Sequence, residues 1–433
     1  MKKLLQRYFQ ISLVYRLLIS FILGGLIGIC CYTWLSPEQL KIVLKVAKPL
    51  GAILTSLLKM IVVPIIFFSL VVGASTLALK KSGKLGASVM LWYFVSSLFA
   101  TIFGIVMAYA LNPSLEQEVA IQAGAEQQET ANKMLHDISG DKVTEFVINM
   151  FVNPFQALAT NNFLAIVLFA IMFGLATRVL LDNEQLDSKI RTSIESMVSL
   201  FDAMQNVSFK MIEWIMEYFP IGVLALTLSC FAENGPKLFG TYLSIASCVI
   251  IGVIAMIIFI YPLAILIFCR ENPYKVMNSI KSPIITAFVT RSSAATLPVS
   301  MKNAEKLKID SKLFSFSLPL GATINMDGVC VHLPVFAILA ANMYGMTLSF
   351  SQLVVLVISV VFVSVGVGGV PGGSLLLLFM VLENLGLSPE QSASIVALAL
   401  GINPLLDMFE TACNVAGDNV CTYIIAKKHG YKS

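Results

Sequence analysis

Charged side chains are scarce in this 433-residue chain: Asp, Glu, Lys and Arg make up 12% of it, against 57% hydrophobic residues and a mean hydropathy of +0.85. A soluble domain of this length needs a charged surface, so the shortage points to a chain whose solvent is mostly lipid. Histidine is nearly missing. His136, His332 and His429 lie far apart, a spacing that excludes a histidine-based zinc site. The eight cysteines (Cys30, Cys31, Cys230, Cys248, Cys269, Cys330, Cys413 and Cys421) form no CxxC pair and mostly sit in apolar runs, so they read as buried free thiols. There is no GxSxG elbow and no histidine near Ser292 and Ser293. An intramembrane enzyme built on these serines with Asp327, Asp407 and Asp418 therefore lacks a base and an evident carboxylate dyad. The net charge of +4 comes from loop lysines and gives no reason to expect a nucleic-acid partner.

What the chain does have is apolar length. Runs at Leu13–Leu35, Met60–Leu79, Val89–Leu111, Ile166–Leu180, a stretch ending in Val223–Phe231, and Tyr242–Phe268 read as membrane helices. The first run follows Lys2, Lys3 and Arg7, as a signal peptide would, but it is long enough to span and lacks a clear small-residue cleavage site, so it reads as helix one. Basic residues prefer the cytoplasmic side. Lys80, Lys81 and Lys84 follow the second run, Arg178, Lys189 and Arg191 the fourth, and Arg270 and Lys275 the sixth. This places both termini in the cytoplasm, and the acidic loop at 112–142 outside as an exposed insert.

Two later segments do not fit a plain crossing. The stretch 274–306 starts and ends among inside lysines, is too short to cross twice, and has a polar centre, Thr290-Arg291-Ser292-Ser293. A re-entrant hairpin is the simpler reading, with an amphipathic surface segment as the alternative. The stretch 350–387 carries Gly366, Gly368, Gly369, Pro371, Gly372 and Gly373 at its middle, which no regular helix tolerates. Two interrupted hairpins, each followed by a long helix (311–342 and 389–427), form an inverted repeat with discontinuous elements, a pointer to a transporter binding site.

The candidate chemistry lies in those two helices. Asn325-Met326-Asp327-Gly328 sits in an apolar frame, where a carboxylate is expensive and implies function. Local unwinding there would free carbonyls beside a carboxylate, the hard oxygen ligands that sodium takes. The alternative is a kink with Asp327 paired to a lysine. In the last helix, Asn403, Asp407, Glu410, Thr411, Asn414 and Asp418 fall within an arc of roughly 100°. Such a stripe fits capture of a zwitterion: a carboxylate for the ammonium, an amide for the carboxylate, and a second carboxylate for a cation. A passive pore would not need so many convergent zwitterion ligands.

Four motifs occur in order: Thr290-Arg291-Ser292-Ser293-Ala294-Ala295-Thr296-Leu297-Pro298, Asn325-Met326-Asp327-Gly328, Gly369-Val370-Pro371-Gly372, and Asp407 through Asn414-Val415-Ala416-Gly417-Asp418. Together they resemble the dicarboxylate/amino acid:cation symporter family, which includes the excitatory glutamate transporters. The resemblance implies an all-α membrane protein of the inner (plasma) membrane, with eight transmembrane helices and two re-entrant hairpins, assembled as a homotrimer in the lipid bilayer. Helices 1–2 (residues 1–84) and 4–5 (143–231) would form a scaffold. Helix 3 (85–111) and residues 232–433, with hairpin 1 (274–306), helix 7 (311–342), hairpin 2 (350–387) and helix 8 (389–427), would form a moving transport unit.

The resemblance further implies that Ser293 and Asn414 hold the amino acid's carboxylate. Asp407, with the carbonyls of Arg291 and Val370, would hold its ammonium, with Ser292 and Thr411 close by. One sodium site would use carbonyls of Gly321, Asn325 and Asn414 with the Asp418 carboxylate. A second would use Thr323, Met326, Ser364, Val365 and Val367, and a third Tyr93, Ser96, Ser97, Asn325 and Asp327. Two departures stand out. Acidic-substrate members place an arginine where this chain has Glu410, and a threonine where it has Val329. A glutamate would repel a substrate carboxylate, so the expectation is a neutral or cationic amino acid rather than glutamate, aspartate or a C4-dicarboxylate. Glu410 would accept hydrogen bonds from a polar side chain, pair with a cationic one, or pair with Arg291. The family's proton-carrying glutamate is replaced by Leu333, next to a packed His332, which favours sodium ions over protons as the driver.

Overall fold

The computed structural model describes residues 13–75, 79–113, 148, 150–160, 162–365 and 373–431, and every regular element among them is helical. Lipid offers the backbone no hydrogen-bond partner, so an apolar run must satisfy its own N–H and C=O groups, and the helix does this within one segment. The first six long helices are α1 (Leu13–Trp34), α2 (Pro37–Ser75), α3 (Leu79–Leu111), α4 (Phe163–Leu181), α5 (Ser188–Asn234) and α6 (Leu238–Cys269). Among the described residues seven helices are long and apolar enough to cross a membrane: Tyr15–Trp34, Pro37–Ser75, Leu85–Leu111, Ser188–Asn234, Leu238–Cys269, Ser311–Met343 and Gln391–Lys428. The fourth expected span is α4, whose apolar stretch Ala165–Leu181 is shorter than those seven.

Helix extents correct the sequence reading. The second run begins its helix at Pro37 rather than Met60, and the stretch before Val223 reaches back to Ser188. Lys, Glu, Gln and Met are good helix formers, so the helices continue past their apolar windows. The 47 residues of α5 make about 70 Å of helix at 1.5 Å per residue, more than twice a hydrocarbon core of about 30 Å. Ile19, Ile22 and Leu26 on α1, and Leu91, Val95 and Val106 on α3, face outward, the reverse of a water-soluble surface.

The helices fall into two packed sets. In the first, α5 lies along α1 and α2, and α2 packs on α4. Arg16 of α1 is buried there and pairs with Glu217 of α5 at 2.6 Å. In the second, α3 packs against a nearly fully buried helix (Asp327–Met343), which is also covered by α6 and the last helix.

That second set contains the interrupted elements. α7 (Lys281–Thr290) and α8 (Ser293–Lys306) are joined by Arg291, in the left-handed conformation at φ 56°, and Ser292, which is extended. Their 10 and 14 residues reach about 15 and 21 Å, too short for a full crossing. α9 (Ser311–Ile324) and α10 (Asp327–Met343) form one span broken at Asn325 and Met326. Nearly every residue of α10 is buried, as expected of a helix that is apolar all round. α11 (Phe350–Ser364) and α12 (Gly373–Asn384) flank the glycine-rich segment. α13 (Pro389–Lys428) closes the chain. Ser349 and Ser388 open α11 and α13 with capping boxes completed by Gln352 and Gln391. A short helix pair followed by a long span thus occurs twice. Val367, Val370, the rest of the glycine-rich tip and the acidic loop beyond Pro113 lie outside the described residues.

Candidate functional site

The break between α9 and α10 is the centre of the site. Asn325 (φ −99°, ψ 88°) and Met326 (φ −112°, ψ 57°) leave helical geometry, which interrupts the backbone ladder and frees carbonyls in the protein interior. Asp327 opens α10 and is fully buried. Its carboxylate accepts hydrogen bonds from Ser96 Oγ (2.9 and 3.1 Å), Ser97 Oγ (3.4 Å) and the Tyr261 hydroxyl (2.9 Å). Ser96 Oγ also lies 3.0 Å from Asn325 Oδ1. Four of the five residues expected at the third cation site are thus together. The fifth, Tyr93, instead donates its hydroxyl to the Ser317 carbonyl at 2.8 Å.

Asn325 links this group to Asp418 of α13, donating from Nδ2 to Oδ1 at 3.1 Å. Gly321 lies directly beneath Asp418: a Cβ there would come within 2.4 Å of Asp418 Oδ1 and 2.6 Å of the Tyr93 hydroxyl. Of the expected first site (the Gly321, Asn325 and Asn414 carbonyls with Asp418), Gly321 and Asn325 thus lie beside Asp418, Asn325 through its side-chain amide rather than its carbonyl. Asn414 is one turn away, and its Oδ1 accepts the Gly328 N–H at 2.7 Å. Neither Asp327 nor Asp418 has a lysine or arginine partner among the described residues, so the alternative of an Asp327–lysine pair is not realised. Hydrogen bonds alone hold two buried carboxylates, and a bound cation is the usual compensation for such charge. No group of three His, Cys, Asp or Glu side chains converges among the described residues, as a transition-metal centre would need. Mixed carbonyl, hydroxyl and single-carboxylate donors instead suit a hard monovalent cation.

Of the expected second cation site, Thr323 and Val365 both line a cavity of about 170 Å³ between α2 and α4 on one side and α3, α9 and α11 on the other. Thr323 Oγ1 donates to the Leu320 carbonyl at 2.7 Å and Ser364 Oγ to the Val361 carbonyl at 2.9 Å. Met326 is buried, and Val367 is outside the described residues.

Of the expected substrate residues, Arg291 and Asp407 meet where the α7–α8 turn touches α13, Arg291 by its side chain rather than its carbonyl. Arg291 donates to Asp407 Oδ2 from Nε at 2.8 Å and from a terminal nitrogen at 2.7 Å, with both side chains buried. Ser292 caps α8 by accepting the Ala295 N–H. Ser293 Oγ is buried and has no partner among the described residues. Thr411 Oγ1 donates back to the Asp407 carbonyl at 2.7 Å, and Val329 is fully buried just inside α10. Glu410 does not pair with Arg291, as one reading of the sequence allowed. Its Oε2 lies 2.5 Å from Nδ1 of His332. His332 is buried within α10.

Residues 13–428 match the model of the sodium:dicarboxylate symporter family. This chain belongs to that family. Three relatives outline the family around it. A proton/glutamate-aspartate symporter of Bacillus subtilis is 30% identical over 387 residues, covering 88% of each chain. A serine/threonine transporter of Bifidobacterium adolescentis is 30% identical over 410 residues, 94% of this chain and 87% of its own. A neutral amino acid transporter of Bos taurus is 31% identical over 395 residues, 85% of this chain and 71% of its own. The symporter family's members are transporters, so this chain is a transporter and not an enzyme.

Tyr261 is a site residue that sequence reasoning missed, because it lies inside an apolar run. A π-helical stretch, Met256–Ile260, immediately precedes it, and such stretches often re-aim side chains at functional sites. Pro262, just after it, was the one visible signal. Removing the hydroxyl with Tyr261→Phe costs the Asp327 carboxylate one donor. Loss of a hydrogen bond to a charged group is worth about 1.5–3 kcal/mol, so if Asp327 binds a coupling cation, half-saturation by that cation is expected to rise by about 10- to 150-fold. Titrating uptake against sodium at fixed substrate checks this. At Gly321, alanine would place a methyl group against Asp418, so if Asp418 binds the coupling cation, Gly321→Ala is expected to abolish cation-dependent uptake while the protein still elutes as a single species.

Proposed function

We propose that this protein is a secondary active symporter that carries an amino acid with a neutral or cationic side chain into the cell together with sodium. The carrying observation is the pair of buried carboxylates, Asp327 and Asp418, linked through Asn325 at a helix break and without a cationic side-chain partner among the described residues. Sodium is the substrate that this donor set fits, with Asp327, Ser96, Ser97 and Asn325 on one side and Asp418 with the Gly321 and Asn325 carbonyls on the other. The amino acid's ammonium would compete for Asp407, and its carboxylate would meet Arg291, Ser293 and Asn414. Glu410, standing where acidic-substrate members carry arginine, disfavours a side-chain carboxylate.

The set of α1, α2, α4 and α5 serves in this reading as the scaffold, homotrimeric in the membrane with both termini cytoplasmic. The set built on α3 and residues 238–428 serves as the unit that moves. The α7–α8 and α11–α12 pairs dip into the membrane from opposite sides, and the second closes over the loaded site. Sodium and substrate share Asn325, Asn414 and that second pair, so each raises the other's affinity by the same factor. A proton-driven reading draws support from the buried His332–Glu410 pair and from the B. subtilis relative, a proton-coupled symporter.

Thermal stabilisation of the purified protein tests binding without turnover. Serine, alanine, glutamine, cystine, lysine, arginine, aspartate and glutamate are each added with and without sodium. Stabilisation by neutral or basic amino acids that requires sodium supports the reading. Stabilisation by aspartate or glutamate alone contradicts the substrate class.

A further inference from the structure

The His332–Glu410 pair is unexplained by cation binding, and its geometry bears on substrate choice. His332 comes from α10 and Glu410 from α13, and each side chain is no more than 2% exposed. The ring of His332 lies against Phe336 with centroids 5.0 Å apart, and its Nε2 has no hydrogen-bond partner among the described residues. Glu410 follows Asp407 by three residues, so the two acids share the polar face of α13. Each is matched by a basic group from a different element: Asp407 by Arg291 at the α7–α8 turn, and Glu410 by His332. With one proton shared between imidazole and carboxylate, the second pair carries no net charge, which is the arrangement that burial favours. An amino acid with an uncharged side chain adds no net charge to such a site. A cationic side chain would add a charge that Glu410, already answered by His332 at Oε2, no longer balances, and an anionic one would face Glu410.

Resting on the symporter reading above, we propose that His332 is a specificity-determining positioning residue. By holding Glu410, it restricts the site to amino acids with uncharged side chains, and its removal opens the site to cationic ones. The pair would then act as a selectivity latch. Close charge pairs in desolvated interfaces couple strongly enough to move such a preference by orders of magnitude.

The test compares full-length protein in liposomes under an inward sodium gradient, reading the ratio of lysine to alanine uptake. Wild type is expected to favour alanine. His332→Ala is expected to shift the ratio toward lysine by about tenfold or more, equivalent to about 1.4 kcal/mol. His332→Asn keeps a hydrogen bond to the Glu410 carboxylate but not the proton that balances its charge, so it is expected to shift the ratio in the same direction as His332→Ala. In His332→Ala/Glu410→Gln the gain for lysine should disappear. A purely structural tie between α10 and α13 would lower both uptakes together and leave the ratio unmoved. Should His332→Ala be unstable, His332→Leu fills the buried volume and reads the same ratio. Preference for lysine in the wild type, or a ratio unchanged in the variants, overturns the proposal while leaving the symporter reading intact. Absence of sodium-dependent uptake of any amino acid by the wild type overturns the symporter reading itself.

Discussion

Replacing Asp418 with asparagine is expected to remove sodium dependence almost completely, with uptake at a fixed sodium gradient falling by about 100-fold or more. Asp418 is buried on α13, is reached by the amide of Asn325, and sits against the backbone of Gly321. Its charge has no cationic side chain to answer it among the described residues, so in a sodium-bound state the ion itself supplies the compensation. Removing one member of a buried charge pair costs about 3–5 kcal/mol, which corresponds to two or more decades of affinity. Asparagine keeps the volume and part of the hydrogen bonding, so the fold should survive. Sodium titration of thermal stability reads the loss directly, without relying on turnover. A variant that keeps the wild-type sodium response would remove Asp418 from the cation site.

Replacing Asp407 with alanine should act on the other half of the cycle. Asp407 holds Arg291 through two donors to one oxygen, in a place that excludes water from both side chains. Alanine leaves the guanidinium buried and unpaired, again at a cost of about 3–5 kcal/mol, and removes the carboxylate proposed to receive the substrate ammonium. Both losses should appear, and they can be told apart. Melting temperature should fall, and the double variant Arg291→Ala/Asp407→Ala should recover much of it, because no uncompensated charge remains. Amino acid uptake should stay below about 1% of wild type in both variants, since neither restores the ammonium partner. Sodium binding, proposed to rest on Asp327 and Asp418, should persist. Recovery of uptake in the double variant would mean that Asp407 serves only to neutralise Arg291.

Much of this site was legible because polar groups in an apolar frame are costly and therefore informative. Asn325-Met326-Asp327-Gly328 announced a helix break, and α9 and α10 part at Asn325 and Met326. Thr290-Arg291-Ser292-Ser293 marked a turn, and α7 and α8 meet there. The six polar residues of the last helix were read as facing protein or ligand, and all six are buried. Partner choice was not legible. Nothing in the local sequence says that Arg291 takes Asp407 and leaves Glu410 to His332, because that depends on the relative register of three separate elements. Tyr261 was hidden for the opposite reason: an aromatic residue in an apolar run looks like core, and only the π-helical turn before it directs its hydroxyl to Asp327. Helix lengths were underestimated where helix-forming polar residues carried α2 and α5 beyond their apolar windows.

The most direct test is uptake by the purified protein in liposomes, with labelled neutral, basic and acidic amino acids, under an inward sodium gradient and separately under a proton gradient alone. Sodium-dependent accumulation of an amino acid without a side-chain carboxylate is the predicted result. Accumulation of aspartate or glutamate, or uptake that follows only the proton gradient, would contradict it.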